Sequence, residues 1–193
     1  GAFISVLVMY FTGNIFLAIS SAIITTLLLG LIFSYFGVSK AGNVIVIGLG
    51  INFIVPAIAK FVLNMMEMSN ISLQNISVSD FKINIPIIGS IKIVGSILSG
   101  HTFITYLAFI GIAIMSVIMY QTKFGIYVRV VGENEDAAIS LGLRTGLYKY
   151  LAILLGALCA ALAGINLSFE RMCMYTNDMT AGRGFIAIAA IYC

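Results

Sequence analysis

The residues with the greatest capacity for chemistry lie together in one polar segment between two long apolar runs. At its centre, Asn134 is followed by Glu135 and Asp136, and Gly142 comes shortly afterwards. Asparagine is favoured as a helix cap, carboxylates in the first turn are stabilised by the helix dipole, and glycine readily adopts the left-handed conformation that ends a helix. The spacing therefore predicts a capped helix over 135–141, and the chemistry it indicates is binding.

This predicted helix is too short to be stable alone in water, because it has only about two turns. Ile139, Leu141 and Leu143 provide apolar contacts along it. We expect it to dock against another surface. The alternative interpretation is an ordinary connecting loop whose charged residues are solvated.

The motifs of the common catalytic and nucleotide-binding sites are missing. The sequence has no GxxxxGK[ST] loop, HExxH pair, nucleophile elbow or dinucleotide fingerprint. Its three cysteines, Cys159, Cys173 and Cys193, lack metal-ligand spacing and are interpreted as packing residues. We expect no catalytic residue, metal site or cofactor.

Composition places the chain in a membrane. Hydrophobic residues make up 61% of it and charged residues only 9%, whereas about a quarter of the residues of a soluble protein are charged. The net charge of +3 gives no indication of nucleic-acid binding. The predicted fold is an all-α, polytopic transmembrane bundle forming a single domain over 1–193. Apolar runs of about 20 residues predict the spans, which are 15–38, 43–66, 102–120 and 150–169, with partial spans at 1–11 and 185–193.

The partial runs at both ends suggest a segment of a longer protein, with a bundle that is incomplete at each end. Residues 121–149 and 170–184 form polar connections, and short alternation near 81–94 suggests a small extended or re-entrant element. Within the spans, Gly156, Ala160 and Gly164 recur every four residues, which predicts a ridge for close helix packing.

Ion coupling can be partly judged from where the polar residues fall. The seven acidic residues lie in loops or at helix ends, so the intramembrane carboxylates of a proton-driven carrier are missing. Sodium coupling at a broken helix stays open, because Pro56 and the glycines at 48 and 50 could unwind one span. Asn52 and Pro56 are expected to point inward, Asn52 either in an interhelical hydrogen bond or along a polar pathway.

Orientation follows weakly from the charges. Placing 121–149 in the cytoplasm puts five cations there, Lys40, Lys123, Arg129, Arg144 and Lys149, against four on the other side, Lys82, Lys92, Arg171 and Arg183.

Two motifs carry a resemblance to a known family. The first contains Thr122-Lys-Phe-Gly125, Arg129-Val-Val-Gly-Glu-Asn134, Ala137-Ala138 and Gly142-Leu143, and the second is Thr180-Ala-Gly-Arg-Gly-Phe185. The first resembles the coupling-loop signature of bacterial ABC importer permeases of the branched-chain amino acid, ribose and nucleoside group. The second is similar to the matching segment of the nucleoside and simple-sugar subgroup. Leu143 and Val130 depart from the usual Ile and Ala without altering size or polarity greatly.

The resemblance implies a multi-pass permease of the bacterial plasma membrane. Its expected partners are a cytoplasmic ABC ATPase, a second permease subunit, an external substrate-binding protein and membrane lipid. The chain is not expected to be an enzyme, because ATP hydrolysis would take place on the ATPase. The short helix would be the coupling helix, seated in a groove of the ATPase and moved by closure of the ATPase dimer. The residues to which we assign this coupling role are Gly132, Glu133, Asn134, Glu135, Asp136, Ala137, Ala138 and Gly142.

The substrate path is predicted from aromatic and amide side chains, which suit sugar rings and bases. The candidates are Asn52, Phe169, Asn177, Thr180 and Arg183, with an interfacial anchor as the alternative role of Arg183. The leading hypothesis is an importer subunit for a nucleoside or simple sugar. The alternatives are a branched-chain amino acid permease, a sodium-coupled secondary transporter and a membrane scaffold.

Overall fold

The computed structural model describes residues 1–72, 103–172, 174–177 and 179–192 of an all-helical polytopic membrane protein. The predicted extended or re-entrant element near 81–94 lies outside these residues. The helices are α1 (Ala2–Thr12), α2 (Ile15–Ser34), α3 (Val44–Met65), α4 (Phe103–Gln121), α5 (Lys123–Glu133), α6 (Glu135–Ser140), α7 (Thr145–Ile165) and α8 (Arg183–Tyr192). Two short strands, β1 (Asn70–Ser72) and β2 (Met174–Thr176), pair antiparallel.

Local sequence signals explain where the first helices begin and end. Gly13 ends α1 at a φ of 64°, a left-handed conformation that suits glycine. The Asn14 side chain then accepts a hydrogen bond from the backbone N–H of Phe16, and the Asn43 side chain caps α3 in the same way. At their other ends, α2 and α7 continue as π-helical turns, Tyr35–Ser39 and Asn166–Met172.

Three described helical stretches have the length and apolar composition to cross a membrane, Ile15–Ser39, Val44–Met65 and Thr145–Phe169. A fourth candidate is the pair formed by α4 and α5, which bends by 73°. Helix α7 begins at Thr145 instead of Tyr150, where the sequence predicted the span to start. Hydropathy set the predicted boundary beyond Lys149, but no proline lies between Thr145 and Tyr150 to stop the helix from starting earlier.

The closest helix pair is α2 and α7, which run antiparallel. A Cβ placed on Gly30 would lie only 2.7 Å from the Cβ of Ala157. The predicted ridge of small residues is therefore wrong in its register. Gly156 and Ala160 are exposed, whereas Ala161 is fully buried and Gly164 lies against the backbone of Ala2. The contact face instead includes Ala157 and Ala161, which are also four residues apart but lie one position further along the helix.

The largest apolar cluster lies at one end of the bundle, where α1, α2, α3 and α7 meet the strand pair. Its members are Val6, Met9, Ala18, Ala22, Ala59, Leu63, Ile71, Ile165, Leu167, Phe169, Tyr175 and Met179. The hydroxyls of Ser5 and Ser168 lie 3.1 Å apart within it, and each also donates to a backbone carbonyl of its own helix. The rings of Phe3 and Tyr175 meet edge to face at 5.0 Å.

At the other end of the bundle, the hydroxyls of Ser39 and Tyr150 lie 2.5 Å apart, joining the end of α2 to the start of α7. This contact puts Lys40 and Lys149 at the same end, as their predicted placement on one side of the membrane requires. Asn52 and Pro56 are exposed on α3 and make no inward contact within the described part of this chain, so the expectation that they point inward stays a prediction. Cys159 is also exposed and does not pack within the described part of the chain.

Candidate functional site

The candidate site is the polar corner formed by α5, α6 and the start of α7. It begins at the 73° bend after α4, where Thr122 caps α5 by accepting a hydrogen bond from the N–H of Gly125 at 3.4 Å. The Thr122 hydroxyl also donates to the carbonyl of Ile118 at 2.6 Å. A Cβ on Gly125 would collide with the carbonyl oxygens of Ile118 and Met119. The bend therefore requires glycine at position 125.

Aromatic contacts hold α5 against its neighbours. The guanidinium of Arg129 lies 5.0 Å from the centre of the Tyr120 ring, which is within the range of a cation–π interaction. The rings of Phe124 and Tyr127 both lie beside Tyr148 of α7, with centroids 6.2 and 5.3 Å away. Helix α5 lies in the stretch that was predicted as a polar connection, so it is a helix that the sequence patterns did not predict. The Thr122 cap, followed by eleven residues without proline, was the signal that could have identified it.

The predicted short helix is present as α6 and ends at Ser140. Asn134 both ends α5 and caps α6, because its side chain accepts a hydrogen bond from the N–H of Ala137 at 3.0 Å. At the other end, Gly142 has a φ of 77°, as the left-handed stop requires. The N–H of Leu143 donates to the carbonyl of Ala138 at 3.1 Å and closes the turn into α7.

An ion pair connects the first residue of α6 to α7. The Lys149 ammonium lies 2.5 Å from a carboxylate oxygen of Glu135, and both side chains are partly exposed. The hydrogen bond from Lys149 is the main cause that lowers the pKa of Glu135, and the Thr145 hydroxyl lowers it further. This carboxylate is therefore satisfied within the chain. Glu135 and Lys149 come within contact distance because the chain turns at Gly142 between them.

The surface of α6 is divided between a buried residue and an exposed apolar tip. Ala138 is fully buried, whereas Ile139 and Leu141 are 55% and 73% exposed. Ala138 was predicted as a coupling residue, but its side chain is buried within this chain, where it anchors α6 to the rest of the corner. The other predicted coupling residues, Gly132, Glu133, Asn134, Glu135, Asp136, Ala137 and Gly142, are exposed.

An apolar cleft of about 390 Å³ separates α5 from the junction of α2 and α3. Phe33 and Val44 line one wall, Val131 and Gly132 line the other, and Lys149 lies at its α7 side. Beside the cleft, the corner is held by contacts of α5 with both α4 and α7. Within the described residues, no three His, Cys, Asp or Glu side chains are grouped closely enough to hold a metal ion.

The residues predicted for the substrate path lie in three different parts of the structure: in the middle of α3, in the apolar cluster, and between β2 and the start of α8. Phe169 is 1% exposed and belongs to the apolar cluster, so its ring is packed within the described part of this chain, and its role in a substrate path stays a prediction. The same cluster contains residues of α1 and β1, which lie far away in the sequence. Asn177 and Thr180 are exposed after β2, Arg183 is exposed at the start of α8, and Asn52 is exposed in the middle of α3.

Comparison with known proteins gives a family match and several relatives. The family model described as branched-chain amino acid transport system / permease component matches residues 1–192. The chain is 27% identical over 198 aligned residues to the guanosine ABC transporter permease protein NupQ of Bacillus subtilis, and 27% identical over 198 to the nucleoside ABC transporter permease protein NupC of Lactococcus lactis. Each alignment covers 99% of this chain and 62% of the relative.

A Haloferax volcanii protein with the provisional name of a glucose ABC transporter permease is 30% identical over 110 residues, which are 55% of this chain and 33% of that protein. No solved structure matches the chain significantly. The chain spans about 62% of the length of the two nucleoside permeases.

Proposed function

We propose, from the premise that this chain belongs to the family of branched-chain amino acid transport system permease components, that it forms part of the translocation path of an ATP-driven importer. Its partners would be a cytoplasmic ABC ATPase, a second permease subunit and an external substrate-binding protein, in a bacterial plasma membrane. ATP hydrolysis would take place on the ATPase, and this chain would convert the motion of the ATPase into opening and closing of the path.

The observation that carries this proposal is that α6 is fixed at both ends and in its middle while its apolar side chains are exposed. A six-residue helix is not stable alone, yet here it is capped at Asn134, stopped at Gly142 and anchored through buried Ala138. Its apolar tip, Ile139 and Leu141, is left exposed at a polar corner of the molecule. A rigid mount with an unpartnered apolar tip is what a helix that docks into a groove of another subunit requires.

Charge supports a docking role at the same corner. Glu133 and Asp136 are exposed acidic side chains on either side of the cap, and neither takes part in a described ion pair. They can meet basic groups at the rim of an ATPase groove while Ile139 and Leu141 fill its floor, because rim charges guide orientation and buried apolar groups supply most of the affinity.

The solute we propose is a nucleoside or a simple sugar. Two of the relatives that align over nearly the whole chain are a guanosine and a nucleoside permease, and the provisional glucose permease aligns over a part of it. Asn177 and Thr180 could offer hydrogen bonds to hydroxyls or base edges from the end of the bundle opposite α6. We retain Asn52, Phe169 and Arg183 as candidates for the path.

The docking proposal is tested by co-purifying the full-length permease with its candidate ATPase. Leu141→Glu and Ile139→Glu place a charge on the exposed tip and are expected to remove most of the bound ATPase, whereas Leu141→Met keeps an apolar side chain and should retain it. Both charged variants should elute from size exclusion as the wild type does, because the altered side chains are exposed. Full recovery of the ATPase with both charged variants would refute the docking role of α6.

The solute is tested by uptake in cells that depend on this importer. We expect unlabelled guanosine to compete with uptake of a labelled nucleoside more strongly than glucose or leucine does. Competition by leucine alone would favour an amino acid permease. Uptake that requires sodium and persists without the ATPase would refute an ATP-driven importer.

A further inference from the structure

The ion pair between Glu135 and Lys149 connects two helices of the corner, α6 and α7. Glu135 is the first residue of α6, and Lys149 lies in the second turn of α7. The carboxylate also interacts with the Thr145 hydroxyl, so it bridges two positions on the first turns of α7. The buried side chain of Ala138 fixes the middle of α6. The start of α6 is joined to α7 by the ion pair between Glu135 and Lys149.

The packing of the rest of the corner makes this connection important. The cleft separates α5 from the junction of α2 and α3, so the described contacts of this corner with the rest of the bundle run through α4 and α7. Helix α7 is in turn tightly packed on α2, with Gly30 against Ala157. A displacement of α6 can reach the bundle through α5, which it follows directly, and through α7, and the Glu135–Lys149 contact is the ion pair through which it reaches α7.

We propose that Lys149 is a positioning residue for transport, which couples α6 to α7 by holding Glu135 of this chain. This proposal rests on the proposed function and makes a specific statement about it: Glu135 serves an internal contact, and the ATPase is bound by the other exposed residues of α6. Loss of the ion pair would leave α6 anchored by Ala138 but free to tilt, so that ATPase motion would be absorbed at the corner.

A fold defect and a coupling defect are distinguishable here. An exposed ion pair contributes little to the stability of a protein, so its removal is not expected to unfold the bundle. It is expected to lower the number of solute molecules transported for each ATP hydrolysed, because that ratio measures how much of the ATPase motion reaches the bundle. Binding of the ATPase, in contrast, should persist.

The experiment uses the full-length permease reconstituted in proteoliposomes with its ATPase and its substrate-binding protein. Three variants are compared with the wild type: Glu135→Lys, Lys149→Glu and the double variant that exchanges the two charges. We expect each single variant to retain the ATPase but to lower transport per ATP by roughly fivefold or more, a typical strength of coupling between sites. The double variant restores the ion pair with its charges exchanged and should recover at least half of the wild-type ratio. Recovery should be incomplete, because Lys at the start of α6 is disfavoured by the helix dipole.

Lys40→Glu is the matched control. It reverses a cation at the same end of the bundle, where the Lys40 ammonium lies 5.9 Å from the centre of the Tyr35 ring, and it should leave transport per ATP unchanged. If Glu135 instead contacts the ATPase, Glu135→Lys will release the ATPase and the charge exchange will not recover it, which overturns the proposal. Wild-type transport by Lys149→Glu alone overturns it as well. If the wild-type permease binds no ATPase at all, the proposed function itself fails.

Discussion

Replacing Gly30 by alanine should force α2 away from α7. The new Cβ would lie 2.7 Å from the Cβ of Ala157, whereas two carbon atoms in favourable contact are about 3.5–4.0 Å apart. The helices would therefore have to separate locally by about 1 Å. Overpacking of this kind typically costs about 1–3 kcal/mol in the free energy of unfolding.

Gly156→Ala is the matched control for this substitution. A Cβ at position 156 meets no atom within 4 Å, so the control makes the same chemical change on α7 without a clash. Alanine is also the better helix former, so Gly156→Ala should hold or raise the Tm of the detergent-solubilised permease. We expect Gly30→Ala to melt about 2–12 °C below Gly156→Ala, using the overpacking cost and the usual relation between free energy and Tm for domains of this size.

A second substitution tests whether the clash is with Ala157 in particular. Gly30→Ala combined with Ala157→Gly moves the small residue to the other helix and should recover most of the lost Tm. The measurement is thermal unfolding of the full-length permease, followed by loss of the monodisperse peak on size exclusion. Equal Tm values for Gly30→Ala and Gly156→Ala, or a double variant no more stable than Gly30→Ala, would refute the α2–α7 register described above.

Three further predictions concern the polar corner. Gly125→Ala should abolish stable expression of the permease, because its Cβ would meet the Met119 carbonyl, whereas Gly132→Ala has open space and should express normally. Asn134→Ala removes the cap of α6 and should cost about 0.5–2 kcal/mol of local stability, seen as faster hydrogen exchange in α6, while Asn134→Asp should preserve the protection. Because the pKa of Glu135 is lowered in the folded chain, its ion pair should persist from neutral pH down through the ordinary pKa of glutamate and be lost only below it. The protection factors of the α6 amides, which are corrected for the intrinsic exchange rate at each pH, should fall in that acid range, and constant protection factors there would contradict the prediction.

Local chemistry was sufficient to predict α6. Its cap, its acidic first turn and its glycine stop all act within a few residues of one another, so the pattern is complete in the sequence. Helix α5 was missed because its charges resemble a solvated loop, and its stability depends on Tyr148 and Tyr120, which belong to neighbouring helices.

Contacts between distant segments could not be predicted in the same way. The small residues of α7 indicated close packing, but whether Gly156 or Ala157 faces α2 depends on how the whole helix is rotated. Phe169 has the chemistry of a sugar-binding ring, yet it is buried in a cluster that contains residues of α1 and the strand pair. The Glu135–Lys149 contact depends on the reversal of the chain at Gly142, so the ion pair could not be predicted from the two charged residues alone.

The strand pair has a consequence for biosynthesis. Asn70 pairs with Thr176, so β1 leaves the ribosome about 100 residues before its partner strand, which is a delay of roughly 5–20 s at ordinary rates of translation. During that interval Ile71 lacks its strand partner Tyr175, and the apolar cluster cannot close. Helices α1 and α2 can already pack on each other, but this end of the protein is completed only when β2 arrives after α7.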